Sequence, residues 1–115
     1  MDDCPFCLIA EHQLNSTILY EDETVIAFED INPQLPIHSL VIPKRHYDHI
    51  GDSVPEELLG HLFAVTAEVA RMKGVEEGGY RVITNVGEDG GQTVGHLHIH
   101  ILGGARLPIR MGPAD

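Results

Sequence analysis

The chain has 115 residues, 43% hydrophobic and 22% charged, which suits one domain with a modest core. Its 7 Lys and Arg against 18 Asp and Glu give a formal net charge of −11, which argues against a nucleic acid or an anionic membrane as partner. A single nucleotide stays open, because it needs local backbone donors rather than a global field.

The N-terminus, Met1-Asp2-Asp3-Cys4, is acidic and lacks the basic-then-apolar pattern of a signal peptide. No apolar run approaches the roughly 18–20 residues of a membrane span. A cytoplasmic location is the expectation. Cys4 and Cys7 form a CxxC pair. A reducing compartment disfavours a disulfide, and no strand can precede residue 4 as a redox motif would want. Zinc is the better reading, although the pair supplies only two of four ligands. Residues 6–11 predict a short helix. Residues 17–21 and 24–29 predict a hairpin closed by an acidic turn at Asp22-Glu23. Asn32-Pro33-Gln34-Leu35-Pro36 is a breaker cluster, and residues 39–43 predict a third strand stopped by Pro43.

Ser53-Val54-Pro55-Glu56 fits a capping box with Ser53 as N-cap. Leu58, Leu59, Leu62, Val65, Val69 and Met72 then form an apolar stripe at helical spacing, ended by Gly74. Residues 80–85 and 96–102 complete five strands. The order β-β-β-α-β-β predicts an α+β domain, an antiparallel sheet covered on one face, spanning residues 1–115 with 105–115 as a tail. The βαβ alternation and GxGxxG of a dinucleotide fold are absent from the sequence.

The chemistry gathers near the end. His96, His98 and His100 alternate with Leu97, Ile99 and Ile101, so three imidazoles share one strand face and an apolar row shares the other. Alternate strand residues lie roughly 7 Å apart, too far for one metal ion to collect all three readily. One histidine as nucleophile, with neighbours orienting it or binding metal, fits better. The glycine-rich loop 87–93 runs into this strand, and its backbone N–H groups, with Thr93 and Asn85 as further donors, suit a phosphate. Attack by a histidine on phosphorus, giving a phosphorus–nitrogen intermediate resolved by water, is the implied chemistry.

The segment His96-Leu97-His98-Ile99-His100-Ile101-Leu102 resembles the signature of the histidine triad (HIT) superfamily. Residues 28–33, 38–46 and 85–93 extend the likeness to its Hint branch, up to Gly104. The resemblance implies the HIT fold, a five-stranded antiparallel sheet with one long and one short helix, and a homodimer joining two sheets. It implies cleavage of the P–N bond of purine nucleoside 5′-phosphoramidates through a covalent His98-nucleotidyl intermediate. His98 would be the nucleophile, hydrogen-bonded and oriented by His100, with His96 the first triad member. Asn85, Gln92, Thr93 and the Gly91 backbone would surround the phosphate, Asp30 would hold the ribose, and Phe28 and Ile31 would line the base pocket. Relatives with a CxxC imply a structural zinc on Cys4, Cys7, His46 and His96, and a structural role for His38. His12, His49 and His61 lie outside these motifs and are expected at the surface. The chain has no Trp, and its tail does not follow the Trp-containing tail of animal Hint proteins, which leaves the leaving group open. Gly95 stands where relatives carry larger residues. Rival readings are a dinucleoside polyphosphate hydrolase, a nucleotidyl transferase, or a non-catalytic nucleotide-binding regulator.

Overall fold

The computed structural model describes residues 4–107. Helix α1 (Pro5–Ala10) opens with proline in its first turn and with the Cys4 sulfur accepting from the Cys7 N–H at 3.3 Å. Strands β1 (Ile18–Glu21) and β2 (Val25–Glu29) follow, then β3 (Ile37–Pro43), helix α2 (Glu56–Met72), β4 (Arg81–Ile83) and β5 (Ile99–Gly103). All neighbouring strands pair antiparallel, in the order β1-β2-β3-β5-β4. The five-stranded α+β architecture expected from sequence is the one observed.

Each strand's alternation sorts its side chains to two faces. Val25, Ala27, Val41, Leu97, Ile99 and Ile101 pack against Leu62, Val65 and Val69 of α2. Ile26, Phe28, Leu40 and Ile42 face the opposite way and are sealed by Phe6, Cys7, Ile9 and Ala10 of α1. Single-face coverage is therefore corrected: α1, too short to announce itself as a layer, closes the second face over β2 and β3. The acidic turn works as the sequence indicates. Asp22 Oδ1 accepts from the N–H groups of Thr24 and Val25, both at 2.9 Å, while Oδ2 meets the Tyr20 hydroxyl and His61 Nε2, both at 2.6 Å. The hairpin is thereby hooked to α2.

Three expectations change at element ends. Ser53 does not cap α2; it has φ 53°, and Pro55 stands at the N-cap with no side-chain hydrogen bond. The cause is Pro55 itself, which steers Val54 away from helical ψ and delays the helix to Glu56. Met72 is 52% exposed rather than part of the core stripe. Gly74, with φ 75°, reverses the chain in a Schellman arrangement, Val75 N–H to Ala70 carbonyl and Gly74 N–H to Arg71 carbonyl, and Val75 takes the core place instead. Finally, the regular parts of β4 and β5 are shorter than expected. Thr84 Oγ1 donates to the His98 carbonyl at 2.7 Å, and the Leu97 N–H turns to the Tyr47 carbonyl at 2.6 Å, so residues 96–98 leave the ladder while keeping their alternation.

Leu62 is fully buried between α2 and the sheet. Leu62→Ala should cost about 2–5 kcal/mol of unfolding free energy, measured by urea denaturation; a loss under 1 kcal/mol would mean that this helix face does not carry the core.

Candidate functional site: two histidine clusters on one strand

His96, fully buried, is the pivot of the first cluster. Its Nδ1 lies 3.3 Å from the Cys4 sulfur and 3.4 Å from the Cys7 sulfur. His46, just past β3, brings its own Nδ1 to 3.2 Å from the Cys7 sulfur. The far nitrogens are committed: His96 Nε2 donates to the Pro43 carbonyl and His46 Nε2 to Asp48 Oδ1, each at 2.9 Å. A carbonyl or a carboxylate can only accept, so both protons sit on Nε2 and both Nδ1 lone pairs face the sulfurs. The four ligand atoms lie within 4.8 Å of one another. Tetrahedral zinc, with bonds of about 2.3 Å to sulfur and 2.0 Å to nitrogen, spaces its ligands roughly 3.3–3.8 Å apart. The donor set and its orientation thus fit a divalent cation. Burial, with the Cys4 thiol alongside, pushes the Cys7 thiol up to about 11, a cost that a cation between the sulfurs would offset.

The second cluster lies further along the same extended segment, where it runs into β5. His98 Nδ1 donates to the His96 carbonyl at 2.7 Å, which leaves its Nε2 lone pair unprotonated. The ring is buried, packed edge-on against Phe6 with centroids 5.1 Å apart, and burial lowers its proton affinity. The hydrogen bond expected from His100 to His98 is not formed; the two rings meet at 4.9 Å, tilted by 71°. His100 Nδ1 bonds instead to His38 Nε2 at 2.9 Å. His38 in turn accepts the Gln34 N–H on its Nδ1 at 3.0 Å, so Nε2 must carry its proton and His100 Nδ1 must accept it. A neutral His100 then keeps its own proton on Nε2. Asp30 Oδ2 sits 3.3 Å from His38 Nε2 and shares that proton. Asp30, His38 and His100 are close enough to chelate an ion. The Gln34 N–H argues otherwise, because a metal on His38 Nε2 would demand an imidazolate.

The glycine-rich loop is irregular, as expected, and organised by its own amides. Asn85 Nδ2 donates to the Gly90 carbonyl at 2.7 Å. Gln92 Oε1 accepts the Gly87 N–H at 2.9 Å, and its Nε2 donates to the carbonyls of Asp48 at 2.6 Å and Val94 at 3.0 Å. The Gly91 N–H turns inward to the Glu88 carbonyl. Gly90 has no substitute here, since a Cβ would stand 2.3 Å from the Val86 oxygen. Thr93 lines a recess of about 350 Å³ with Cys4, His46 and Asp48, on the side of the cysteine cluster. Phe28 is a buried core ring, 5.5 Å from Phe6, whereas Ile31 is 89% exposed. Of the residues singled out from sequence, the fold gathers Cys4, Cys7, His46 and His96 in one cluster and Asp30, His98 and His100 around a second. Asn85 and the Gly91 N–H bond within the loop, and the Gln92 amide bonds both the loop and the Asp48 carbonyl.

The HIT domain model matches residues 11–107. The chain belongs to the HIT family. The CxxC lies ahead of the matched stretch. A histidine triad protein from Clostridium difficile shares 46% identity with this HIT chain at a TM-score of 0.90, covering 96% of this chain and 98% of that one. A HIT family hydrolase from Clostridium thermocellum gives 44% identity and a TM-score of 0.91 over 96% and 98%. A 14 kDa zinc-binding protein of Zea mays is 45% identical over 113 residues, 93% of this chain and 88% of the relative.

Three partners in the HIT site escape a reading of sequence. The Pro43 and His96 carbonyls and the Gln34 N–H are backbone groups, which no residue type advertises. Asp48 has a faint signal, an acid two residues after His46 on a non-helical segment. His38, expected to be structural, fixes the tautomer of His100.

Burial, reinforced by the neighbouring His98 and His38 rings, holds His100 down from 6.5 to about 4. As pH falls below 6.5 the unfolded imidazole takes a proton that the folded ring refuses until about pH 4, so stability drops across that window. His100→Gln should flatten the fall in Tm between those two pH values. An unchanged slope in the variant would show that His100 is not a source of acid lability.

Proposed function

We propose that this chain is a nucleotide-binding hydrolase that cleaves the P–N bond of purine nucleoside 5′-phosphoramidates, with His98 as nucleophile. The observation that carries the reading is the His98 ring, held by its Nδ1 proton on the His96 carbonyl and kept neutral by burial. Its Nε2 is an unprotonated, pre-oriented nucleophile. Nε2 attacks the α-phosphorus, a new P–N bond forms, and the bond to the leaving amine breaks as the amine takes a proton. The amine takes that proton from solvent, while His100, with Nδ1 committed to His38 and its proton on Nε2, is placed to donate a hydrogen bond to a phosphate oxygen. Water then attacks the nucleotidyl-His98, giving its oxygen to phosphorus and a proton to solvent as the P–Nε2 bond breaks and the nucleoside monophosphate leaves. Asp30, beside this network, is placed to accept from ribose hydroxyls. The relative from Clostridium thermocellum, described as a hydrolase, supports the reaction class.

Cys4, Cys7, His46 and His96 hold zinc in this reading, and the maize relative named as zinc-binding supports the assignment. The ion would supply structural cross-linking, joining α1 to the ends of β3 and β5. Among the described residues no helix is long and apolar enough to cross a membrane.

His98→Ala should lower kcat for adenosine 5′-phosphoramidate on the order of 10³-fold or more, in line with removal of other enzymic nucleophiles. Steady-state assays beside diadenosine tetraphosphate check it. Near-normal turnover by the variant would refute the nucleophile, and turnover of the tetraphosphate alone would move the chain to the dinucleoside hydrolases.

Two copies are proposed to join through β4, an edge strand, and the outer surface of α2. Val82, Phe63 and Met72 remain 38%, 47% and 52% exposed there, apolar area that a second copy would cover. Phe63→Glu should shift the light-scattering mass from dimer to monomer; a dimer retained by the variant would exclude this face.

A further inference from the structure

We propose that Asp48 and Gln92 are positioning residues through which the cysteine–histidine metal centre holds the glycine-rich loop in shape. The inference rests on the metal reading above. It departs from the role that resemblance gives Gln92, because both ends of its amide are already in use. The path is continuous. His46 points Nδ1 at the Cys7 sulfur and donates from Nε2 to the Asp48 carboxylate at 2.9 Å. The Asp48 main-chain carbonyl accepts from Gln92 Nε2 at 2.6 Å, and Gln92 Oε1 accepts from the Gly87 N–H at 2.9 Å. Gln92 thus spans the loop from Gly87 to Val94 and moors it to the residue that steadies a metal ligand. Asp48 is itself anchored, its N–H donating to Asp52 Oδ2 at 2.8 Å.

The coupling has a physical cause. The Asp48 side chain is 67% exposed, so its bond to His46 is weak against competing water. A cation on Nδ1 withdraws charge from the ring, fixes its plane and makes Nε2–H a stronger donor. Metal occupancy therefore firms the Asp48 segment, and the Gln92 amide transmits that order to the loop that borders the histidine strand.

The test is hydrogen exchange of backbone amides in residues 86–95 of the full chain, zinc-loaded and chelator-stripped. In wild type, zinc should slow exchange at Gly87, Gly91 and Gln92 roughly fivefold or more, the lower end of typical site-to-site coupling. Gln92→Glu is isosteric and still accepts from Gly87, yet has no N–H for the Asp48 carbonyl. This variant should bind one zinc and show zinc-dependent protection in α1 while losing it in the loop. Asp48→Ala, which keeps the carbonyl and removes the acceptor for His46, should lose the loop effect as well. Full zinc dependence in both variants would overturn the bridge. Protection of α1 without protection of the loop in wild type would overturn the coupling and leave the metal site standing. Failure to bind zinc at all would overturn both.

Discussion

One buried ring holds this site together. His96 is fully buried and uses three of its groups in three directions: Nδ1 toward two sulfurs, Nε2 onto the Pro43 carbonyl, and its own carbonyl onto His98. A polar side chain in a low-dielectric interior must satisfy every donor and acceptor or lose the desolvation cost outright. Here each satisfied group ties down a different part of the chain: α1, the end of β3, and the next histidine. Among the described residues no side-chain nitrogen or oxygen with essentially no solvent contact lacks a partner. Rotation of the His96 ring would disturb the sulfurs and the Pro43 carbonyl contact together.

The electrostatics follow from the same burial. A chain with formal net charge −11 does not attract a nucleotide by its global field. His98 and His100 are held neutral by desolvation, so the site offers lone pairs and hydrogen bonds rather than positive charge. The tautomers are then decided by groups whose roles cannot change, carbonyls that only accept and an N–H that only donates.

Much of this was legible in the sequence because it depends on period and residue type. The alternation at residues 96–101 placed imidazoles on one face and aliphatics on the other, and the packing of Leu97, Ile99 and Ile101 against α2 agrees. Gly74 announced the end of α2 for the same reason it serves there, its left-handed φ. What escaped was set by long-range or backbone geometry. Ser53 matched a local capping pattern that Pro55 overrode two residues on. The bond from the Gln92 amide to the Asp48 carbonyl depends on the path of residue 48 past the loop, which no local pattern shows. The helix α1 was visible as a segment, yet nothing in its six residues says that it covers a second sheet face.

The register irregularity in β1 has a consequence at larger scale. Between Ile18 and Tyr20 the pairing with β2 slips by a bulge, which twists this margin of the sheet away from a straight template. The opposite margin, β4, is short and has no bulge in its pairing with β5. A sheet with two equivalent margins can be extended indefinitely, each added molecule presenting a fresh edge. With its register broken, the β1 margin is a poor template for a further strand, and the placement of one residue discourages edge-to-edge pairing there.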